Sequence, residues 1–402
     1  MLPGRLLWYE NTKGYDDMAE RIICAIEQKI VVFQDGRHRE ISSGFIRQYC
    51  ENHDKSMRKN SWKSDGFNAR FRMEFPSLNP ESARTIYENA RVTGIASPKK
   101  DEVIFCVTVG DSSGLFKCYP DDDDDSEGHI LHDRGIRFLD ITLSTDGRMA
   151  FSVFRNGEQN IAVAPVGSSH YRTITEGGSL DRNPFWDPRN PDVLLFDSTP
   201  AEYMNNRTPV LYPKAVMKVN LKKSDLETVI EDDKYDYMSP QVDANGNIWC
   251  IRRPYTTPHQ TFSLREIVMI PYNLGRAIFG AIQMFTIRNT GEPLITSGPN
   301  PTKMSSSPKD AFYEGNLINA ERAMRLNKKS GDSFPGYIPR SWELIRIDDG
   351  NQISIQAKGV CAYSLIDDTT FVYSNGKYLF KSDNGNNEKI AEALLPTKII
   401  VA

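Results

Sequence analysis

The sequence predicts an all-β protein in which small sheets repeat along the chain, the pattern of a β-propeller. Two apolar runs, residues 148–154 and 161–165, flank the polar, glycine-containing stretch 155–160, as two strands flank a turn. A similar pattern opens again at Asp181 and at Met238. Because one small sheet cannot bury both of its faces alone, repetition of this unit favours sheets stacked side by side in a ring.

The spacing of the turns supports a single repeat. Turn positions at Lys99, Asp146, Asn190 and Asn245 are separated by 47, 44 and 55 residues, and propeller blades commonly take about 40–50 residues. The next repeat opens only near Asp367. We therefore expect one blade to carry an insertion, which the loss of strand pattern places at residues 259–339.

The motifs of the repeat resemble those of TolB-type, WD40-like propellers. They are Asp181-x-Asn183-Pro184-x-Trp186-x-Pro188, Ser239-Pro240-x-Val242-Asp243-x-Asn245-Gly246, and the Asp146-Gly147 turn with the strand after it. The resemblance covers residues 90–255 and 341–392. It implies a propeller fold and leaves the activity open, because one fold hosts many functions. We expect Trp186 to be buried between neighbouring sheets.

The sequence predicts one domain, residues 1–402, forming a single closed ring of about six blades, with five to seven possible. The strand-like run 395–401 and the early runs 6–9 and 29–41 are expected to share one blade, because mixing the two chain ends closes a ring. Residues 16–28 show a helical stripe. Residues 44–90 are predicted to be an irregular segment rich in basic and aromatic residues.

The composition is typical of a globular chain without a strong electrostatic field. The 402 residues are 39% hydrophobic and 25% charged, with a net charge of −4, which does not favour DNA or membrane surfaces as partners. The six cysteines form no C-x-x-C pair and are interpreted as reduced. Residues 264–287 are apolar but include charged side chains and proline, so no membrane span is expected. With no signal peptide at the start, we expect a cytoplasmic protein.

Four motifs suggest chemistry, but each has a simpler interpretation. The stretch 110–114 matches G-x-S-x-G, yet a returning strand follows it, so we interpret it as a hairpin turn and expect no hydrolase activity through Ser112. Residues 121–125 are five consecutive aspartates, which favours a solvated acidic loop over a calcium site. His129 and His132 have metal-ligand spacing without an identifiable third ligand. Residues 52–72 combine basic and aromatic side chains and could hold a nucleic-acid backbone.

The insertion is the strongest functional candidate, because long insertions in compact folds are often functional. Residues 264–285 and 311–328 are predicted amphipathic helices. Interface anchors tend to be aromatic or arginine side chains, which nominates four residues for partner binding: Phe279, Phe334, Tyr337 and Arg340.

The sequence therefore predicts a non-enzymatic scaffold that binds another protein, with specificity from residues 259–339. No catalytic residue, metal ligand or cofactor is expected. The alternative is a propeller enzyme or small-ligand binder that uses the central channel, as in lyases of similar size with clustered channel histidines. A third possibility is nucleic-acid binding through residues 52–72, which the acidic net charge does not favour.

Overall fold

The fold consists almost entirely of antiparallel strands. A computed structural model of the protein describes residues 21–65, 87, 89–99, 101–122, 127–202, 210–256, 311–313 and 316–402. Within these ranges the strands form four four-stranded sheets, one nine-stranded sheet and one two-stranded hairpin. The predicted all-β class and the propeller arrangement of repeated sheets are confirmed.

The sheets follow one another in chain order. Sheet 1 contains β1 (Ile22–Ile26), β2 (Lys29–Gln34), β3 (Arg37–Ser42) and the last strand, β27 (Lys398–Val401). Sheet 2 contains β4 (Arg91–Lys99), β5 (Glu102–Val109), β6 (Ser112–Cys118) and β7 (Gly128–Arg134). Sheet 4 contains β17 (Tyr235–Val242), β18 (Ile248–Pro254), β21 (Glu343–Ile347) and β22 (Ile353–Lys358). Sheet 5 contains β23 (Ala362–Leu365), β24 (Thr370–Ser374), β25 (Tyr378–Asp383) and β26 (Asn386–Glu392).

Sheet 3 lies between sheets 2 and 4 in the chain and has two halves. The first half contains β8 (Ile136–Leu143), β9 (Arg148–Arg155), β10 (Glu158–Pro165) and β11 (Arg172–Thr173). The second contains β12 (Ser179–Trp186), β13 (Val193–Glu202), β14 (Val210–Leu211), β15 (Ala215–Asn220) and β16 (Asp225–Ile230). A single parallel pairing, Gln159 with Leu180, joins the halves. Each half therefore resembles one of the four-stranded sheets.

A bulge recurs in the first strands of these units. The register shifts at Asp140 in β8, next to Asn183 in β12 and next to Ser239 in β17, and these three residues have φ of 43°, 50° and 54°. Asp and Asn tolerate this left-handed conformation better than most residues. Pro184 and Pro240 follow two of them, where the interrupted ladder does not need a backbone N–H. The Asn-Pro and Ser-Pro motifs thus mark bulges.

Apolar layers between successive units form the core. The side chains of Ile161, Trp186, Leu194 and Phe196 are buried in one cluster between the two halves of sheet 3. Trp186 is 4% exposed, which confirms its predicted burial between neighbouring sheets. Burial of such layers removes the apolar faces of every sheet from water and is the main force holding the units together.

The two ends of the described chain meet in sheet 1. Strand β27 pairs antiparallel with β1, placing Ile399 opposite Cys24. The backbones of Arg21 and Ala402 exchange two hydrogen bonds, of 3.1 and 2.8 Å. The expected pairing of a C-terminal strand with an early one is therefore seen, with β2 and β3 completing the sheet. The expected contribution of residues 6–9 lies outside the described residues.

Three local predictions need correction. Part of the predicted helix 16–28 is strand β1, in which Ile22, Ile23 and Cys24 are all buried. Part of the segment 44–90, predicted to be irregular, is helix α1 (Gly44–Asp65), whose residues Ile46 and Cys50 are buried against sheets 1 and 2. Within the predicted helix 311–328, the chain first forms strands β19 (Ala311–Tyr313) and β20 (Asn316–Ile318).

Helix α2 (Ala320–Lys329) follows this hairpin, later than predicted. Residues 264–285, the other predicted helix of the insertion, lie outside the described residues. Within the described ranges, no helix is both long and apolar enough to span a membrane. All six cysteines lie in the described ranges, are buried and form no disulfide bond, in agreement with their interpretation as reduced thiols.

Candidate binding surface

A short loop after α2 lies on sheet 5 and is held there through its backbone. Asn375, at the end of β24, accepts hydrogen bonds at its carbonyl from the N–H groups of Tyr337 (3.0 Å) and Ile338 (3.2 Å). Its side-chain Nδ2 donates to the carbonyl of Phe334 at 2.9 Å. These bonds satisfy backbone N–H and C=O groups that lose their hydrogen bonds to water when the loop packs on the sheet. They define the position of residues 331–339, called here the docked loop.

Helix α2 supports the same loop from its other side. Asn327 is 4% exposed, and its Nδ2 donates to the carbonyls of Gly336 (3.0 Å) and Ile338 (2.9 Å). Asn319, directly before the helix, is its N-cap residue, and its side chain accepts a hydrogen bond from the N–H of Arg322. Two asparagines, one in α2 and one in sheet 5, therefore fix the docked loop on the sheet.

The docked loop presents one aromatic side chain to solvent. Phe334 is 42% exposed, and its ring centroid lies 5.7 Å from that of Tyr378 and 6.2 Å from that of Phe380. The ammonium group of Lys389 lies 5.2 Å from the centre of the Phe334 ring and 4.5 Å from that of Tyr378. The result is an aromatic surface with a cation at its edge, within the range of cation–π attraction.

The four residues nominated from sequence have different environments. Phe334 is exposed, whereas Tyr337 is 6% exposed and belongs to the buried side of the docked loop. Arg340 is exposed and pairs with Asp332. The structure thus places Phe334 and Tyr337 in the docked loop and Arg340 directly after it, while Phe279 lies outside the described residues. The sequence missed Tyr378 and Lys389, although the alternation in β25 and β26 could have placed both on one face of sheet 5.

A second notable arrangement is a row of buried ion pairs across sheets 3 and 4. Asp140 pairs with Arg182, and Asp197 pairs with Lys214 at 3.4 Å. Asp236 pairs with Arg253 at 2.9 Å, and both side chains are almost fully buried. Each carboxylate therefore has a cationic partner from a different strand or connection. This pairing is what buried charges require for stability, so the row is accounted for as structure.

The pKa of Asp197, one carboxylate of this row, fits that interpretation. Burial alone would raise the pKa of Asp197, which is fully enclosed. The charges of Lys214 and Arg182 and the hydrogen bonds from Ser239 and Asn183 together outweigh burial, and the pKa of Asp197 is lowered overall. Asp197 is therefore held as a carboxylate that links sheet 3 to sheet 4.

The G-x-S-x-G motif forms a tight turn between β5 and β6. Ser112 pairs with Val109 across this hairpin and is 4% exposed. A nucleophile elbow needs a helix after the serine, and a strand follows it here. Gly110 has φ of 56° and lies under the Tyr49 ring, whose hydroxyl donates to Asp111 at 2.6 Å. The motif is thus a hairpin turn, as predicted, and its contact with Tyr49 also docks α1 on sheet 2.

The two histidines with metal-ligand spacing lie together on β7, the outer strand of sheet 2. Nε2 of His129 and Nδ1 of His132 are 2.7 Å apart. Burial, and then the neighbouring His132, lower the pKa of His129. In the described part of the chain no group of three or more histidine, cysteine or acidic residues could hold a metal ion. The pair is thus on the outer edge of a sheet, away from the first strands where a channel would be.

The start of the acidic loop contacts sheet 1. Asp121 forms an ion pair with the buried Arg21 at 2.9 Å, and the side chain of Arg39 donates to the carbonyl groups of Pro120 and Asp122. The first two aspartates of the run therefore help to join sheets 1 and 2. Residues 123–126 lie outside the described residues, as do residues 66–72 of the basic segment 52–72, whose earlier part belongs to α1.

Comparisons with known proteins concern the fold. No family model matches the chain, and no curated protein matches it. TolB from Acinetobacter baumannii is similar in structure, with 9% identity and a TM-score of 0.50 over 96% of this chain and 67% of that one. A nidogen/laminin complex matches with 8% identity and a TM-score of 0.48, over 96% and 98%. A puromycin-hydrolyzing peptidase of Mycobacterium tuberculosis matches with 10% identity and a TM-score of 0.43, over 98% and 46%.

Proposed function

We propose that this chain, whose fold is a TolB-type β-propeller, is a non-enzymatic cytoplasmic scaffold that binds another protein through the surface around Phe334. The observation that carries the proposal is an aromatic side chain, 42% exposed, on a loop whose backbone is hydrogen-bonded from both sides. A large side chain presented by an ordered loop loses little freedom on binding. Such residues dominate interface energies.

The surroundings of Phe334 indicate the chemistry of the partner. Tyr378 and Phe380 extend the apolar area around the ring, and Lys389, which also pairs with the exposed Glu392 at 3.6 Å, adds a positive charge at its edge. A matching surface would insert an apolar or aromatic side chain against Phe334 and place an acidic or carbonyl group near Lys389. In this proposal Tyr337 packs beneath the loop, and Arg340 with Asp332 forms its polar rim.

The rest of the insertion belongs to the same proposal. The described part of the insertion, residues 311–313 and 316–339, contributes no strand to sheet 4, in which β18 pairs directly with β21. A segment that the sheet does not need is free to carry specificity. We assign Phe279 a role in partner binding on sequence grounds alone.

We also propose that the units form six blades closed into one ring. The innermost strand of each blade would line the centre of the ring. These six strands would be β4, β8, β12, β17, β23 and, from the chain end, β27. Contacts between successive members of this set support the proposal, since β4 contacts β8, β8 contacts β12, and so on to β23, β27 and back to β4. In this arrangement the two halves of sheet 3 are separate blades. Closure would leave the binding surface on a rigid support.

The test is capture of partners from native lysate with matched surface variants. Phe334→Ser removes the exposed ring, and Ile355→Ser removes a side chain of similar exposure, 44%, on the outer strand of sheet 4. Proteins retained by wild type and by Ile355→Ser but lost with Phe334→Ser, quantified by mass spectrometry, would support the proposal. Equal retention by all three proteins would place the interaction surface elsewhere.

A further inference from the structure

The two halves of sheet 3 differ in their outer strands, and this opens a cavity between them. Strand β11 has only two residues, whereas the outer strands β3, β7, β16, β22 and β26 have six or seven. A cavity of about 490 Å³ lies beside this short strand, whose residues Arg172 and Thr173 form part of its lining. Its volume is within the range of about 300–1,000 Å³ typical of small-molecule sites.

The apolar part of the cavity wall comes mainly from the second half of the sheet, through the side chains of Phe196, Met217, Val219, Leu221 and Leu226. Polar and charged residues form the rest of the lining, and two of them, Arg172 and Thr173, belong to β11. Phe196 is 1% exposed and lies at the bottom, whereas Leu226 is 55% exposed and lies at the mouth. The cavity therefore continues the buried core outward to the surface.

One buried carboxylate lies among these apolar walls. Asp181 lines the cavity and is 2% exposed. The hydroxyl groups of Ser179 and Ser198 both donate to its Oδ1, at 2.9 and 2.7 Å. Burial raises the pKa of Asp181, and hydrogen bonds from the Thr175, Ser198 and Ser179 hydroxyls lower it in part. The neighbouring charge that acts on it is another carboxylate, Asp197, which raises the pKa further.

Asp181 differs from the carboxylates of the buried row in the groups that contact its carboxylate. Asp140, Asp197 and Asp236 each have an arginine or lysine as ion-pair partner, whereas the hydrogen bonds found for Asp181 within the described chain come from hydroxyl groups. A buried carboxylate without a cation is costly unless a ligand supplies the charge. At the mouth of the cavity, Arg172 and Glu176 are exposed and have opposite charges. Together they therefore do not neutralise the negative charge of Asp181.

We propose that this cavity is a binding site for a small organic amine with an apolar body, whose ammonium group pairs with Asp181. The apolar body would contact Phe196, Met217 and Val219, and the ammonium would donate to the carboxylate in a charge-assisted hydrogen bond. The site is distinct from the Phe334 surface, because it lies in sheet 3 and the docked loop lies on sheet 5. It would make the scaffold responsive to a small molecule.

The test compares two probes of matched shape, 4-phenylbutylamine and the neutral 4-phenylbutanol, by isothermal titration calorimetry on the full chain at pH 7.5. We expect the amine to bind the wild-type protein at least about tenfold more tightly than the alcohol, since hydrogen bonds between charged groups are stronger than neutral ones. We expect Asp181→Asn to abolish this preference. Equal binding of the two probes, binding of neither, or a preference that survives in Asp181→Asn would overturn the proposal.

A second variant covers the case in which Asp181→Asn does not fold. Leu226→Arg places a cation at the cavity mouth on an exposed position and should weaken amine binding severalfold. Ile355→Arg is the matched control, since it introduces the same charge at similar exposure on the outer strand of another sheet. Amine affinity that is unchanged in Leu226→Arg, or reduced equally in both variants, would also overturn the proposal.

Discussion

The side chains of Asp140 and Arg182 clamp the first strands of the two halves of sheet 3 to each other. Nε and Nη2 of the arginine lie 3.1 and 3.2 Å from the two carboxylate oxygens. The backbone N–H of Asn183 donates to the same carboxylate at 3.4 Å. Because Asp140 and Asn183 are the left-handed residues of two successive bulges, the bulge of one strand is tied to the bulge of the next.

Removal of the cation from this clamp should be strongly destabilising. Arg182→Met leaves the buried carboxylate of Asp140 without its partner, and we expect a loss of about 3 kcal/mol in the free energy of unfolding. Denaturant titration measures it. The control is Lys218→Met, which breaks the exposed pair of Lys218 with Glu227 and should change stability by less than about 1 kcal/mol. A loss in Arg182→Met no larger than in this control would show that the clamp is not stabilising.

Strand β27 should be essential to stability although it is at the chain end. Ile399 is 1% exposed and packs in the core cluster that also contains Ile22 and Cys24. We expect Ile399→Ala to cost about 2–5 kcal/mol, as for other buried aliphatic truncations, and deletion of residues 398–402 to cost more. Thermal and denaturant unfolding measure both.

The control for the chain end is Ile353→Ala, at a position 43% exposed on the outer strand β22. It should shift stability by about 0.5 kcal/mol or less. If deletion of residues 398–402 leaves the melting temperature unchanged, the terminal strand does not hold sheet 1 together.

The repeat could be predicted from sequence because it is local and periodic. Asn183-Pro184 and Ser239-Pro240 recur at equivalent places and mark the bulges of β12 and β17. The clamp itself could not be predicted, because Asp140 and Arg182 meet only through the contact of two units. The same holds for Asp181, whose position in a cavity depends on the shortness of β11, and no rule of composition predicts that length.

The errors near the start of the chain also have a physical reason. Strand β1 is buried on both faces, so its apolar residues are consecutive and fit a helical stripe as well as a strand. In α1, Ile46 and Cys50 are buried one turn apart. The exposed residues that follow are mostly basic and polar, so the sequence shows no helical repeat of apolar residues there. At the docked loop, the aromatic character of Phe334 was informative, but Tyr378 and Lys389 come from strands distant in sequence.

Asp181 and Asp197 should give opposite dependences of stability on pH. The pKa of Asp181 is raised, mainly by burial, so the folded state binds its proton more tightly and stability from this group grows as pH falls toward about 4. The pKa of Asp197 is lowered, so its stabilisation is present above about 4 and is lost as pH falls through its folded value.

The measurement is the difference in melting temperature between wild type and each asparagine variant as a function of pH. The melting temperature of wild type should rise relative to that of Asp181→Asn as pH falls from 7 to about 4. Its advantage over Asp197→Asn should disappear as pH falls below about 4. The same direction of change in both comparisons would contradict the opposite environments of the two carboxylates.

Gly336 should be the position at which the docked loop is most sensitive to a single methyl group. A Cβ at this residue would lie 2.3 Å from Cγ and from the backbone oxygen of Asn375, and the backbone cannot move away without breaking its hydrogen bonds to Tyr337 and Ile338. We expect Gly336→Ala to lift the loop from sheet 5 and to lower stability by about 1–3 kcal/mol, the usual range for overpacking. Proteolysis within residues 331–339 should accelerate at the same time.

Gly350→Ala is the control, since its Cβ would meet only Asp348 Oδ1, the end of a side chain, at 3.3 Å. Equal stability and equal proteolysis of the two variants would mean that the loop is not fixed by Asn375, and Phe334 would then lack the rigid support on which its proposed role in binding depends.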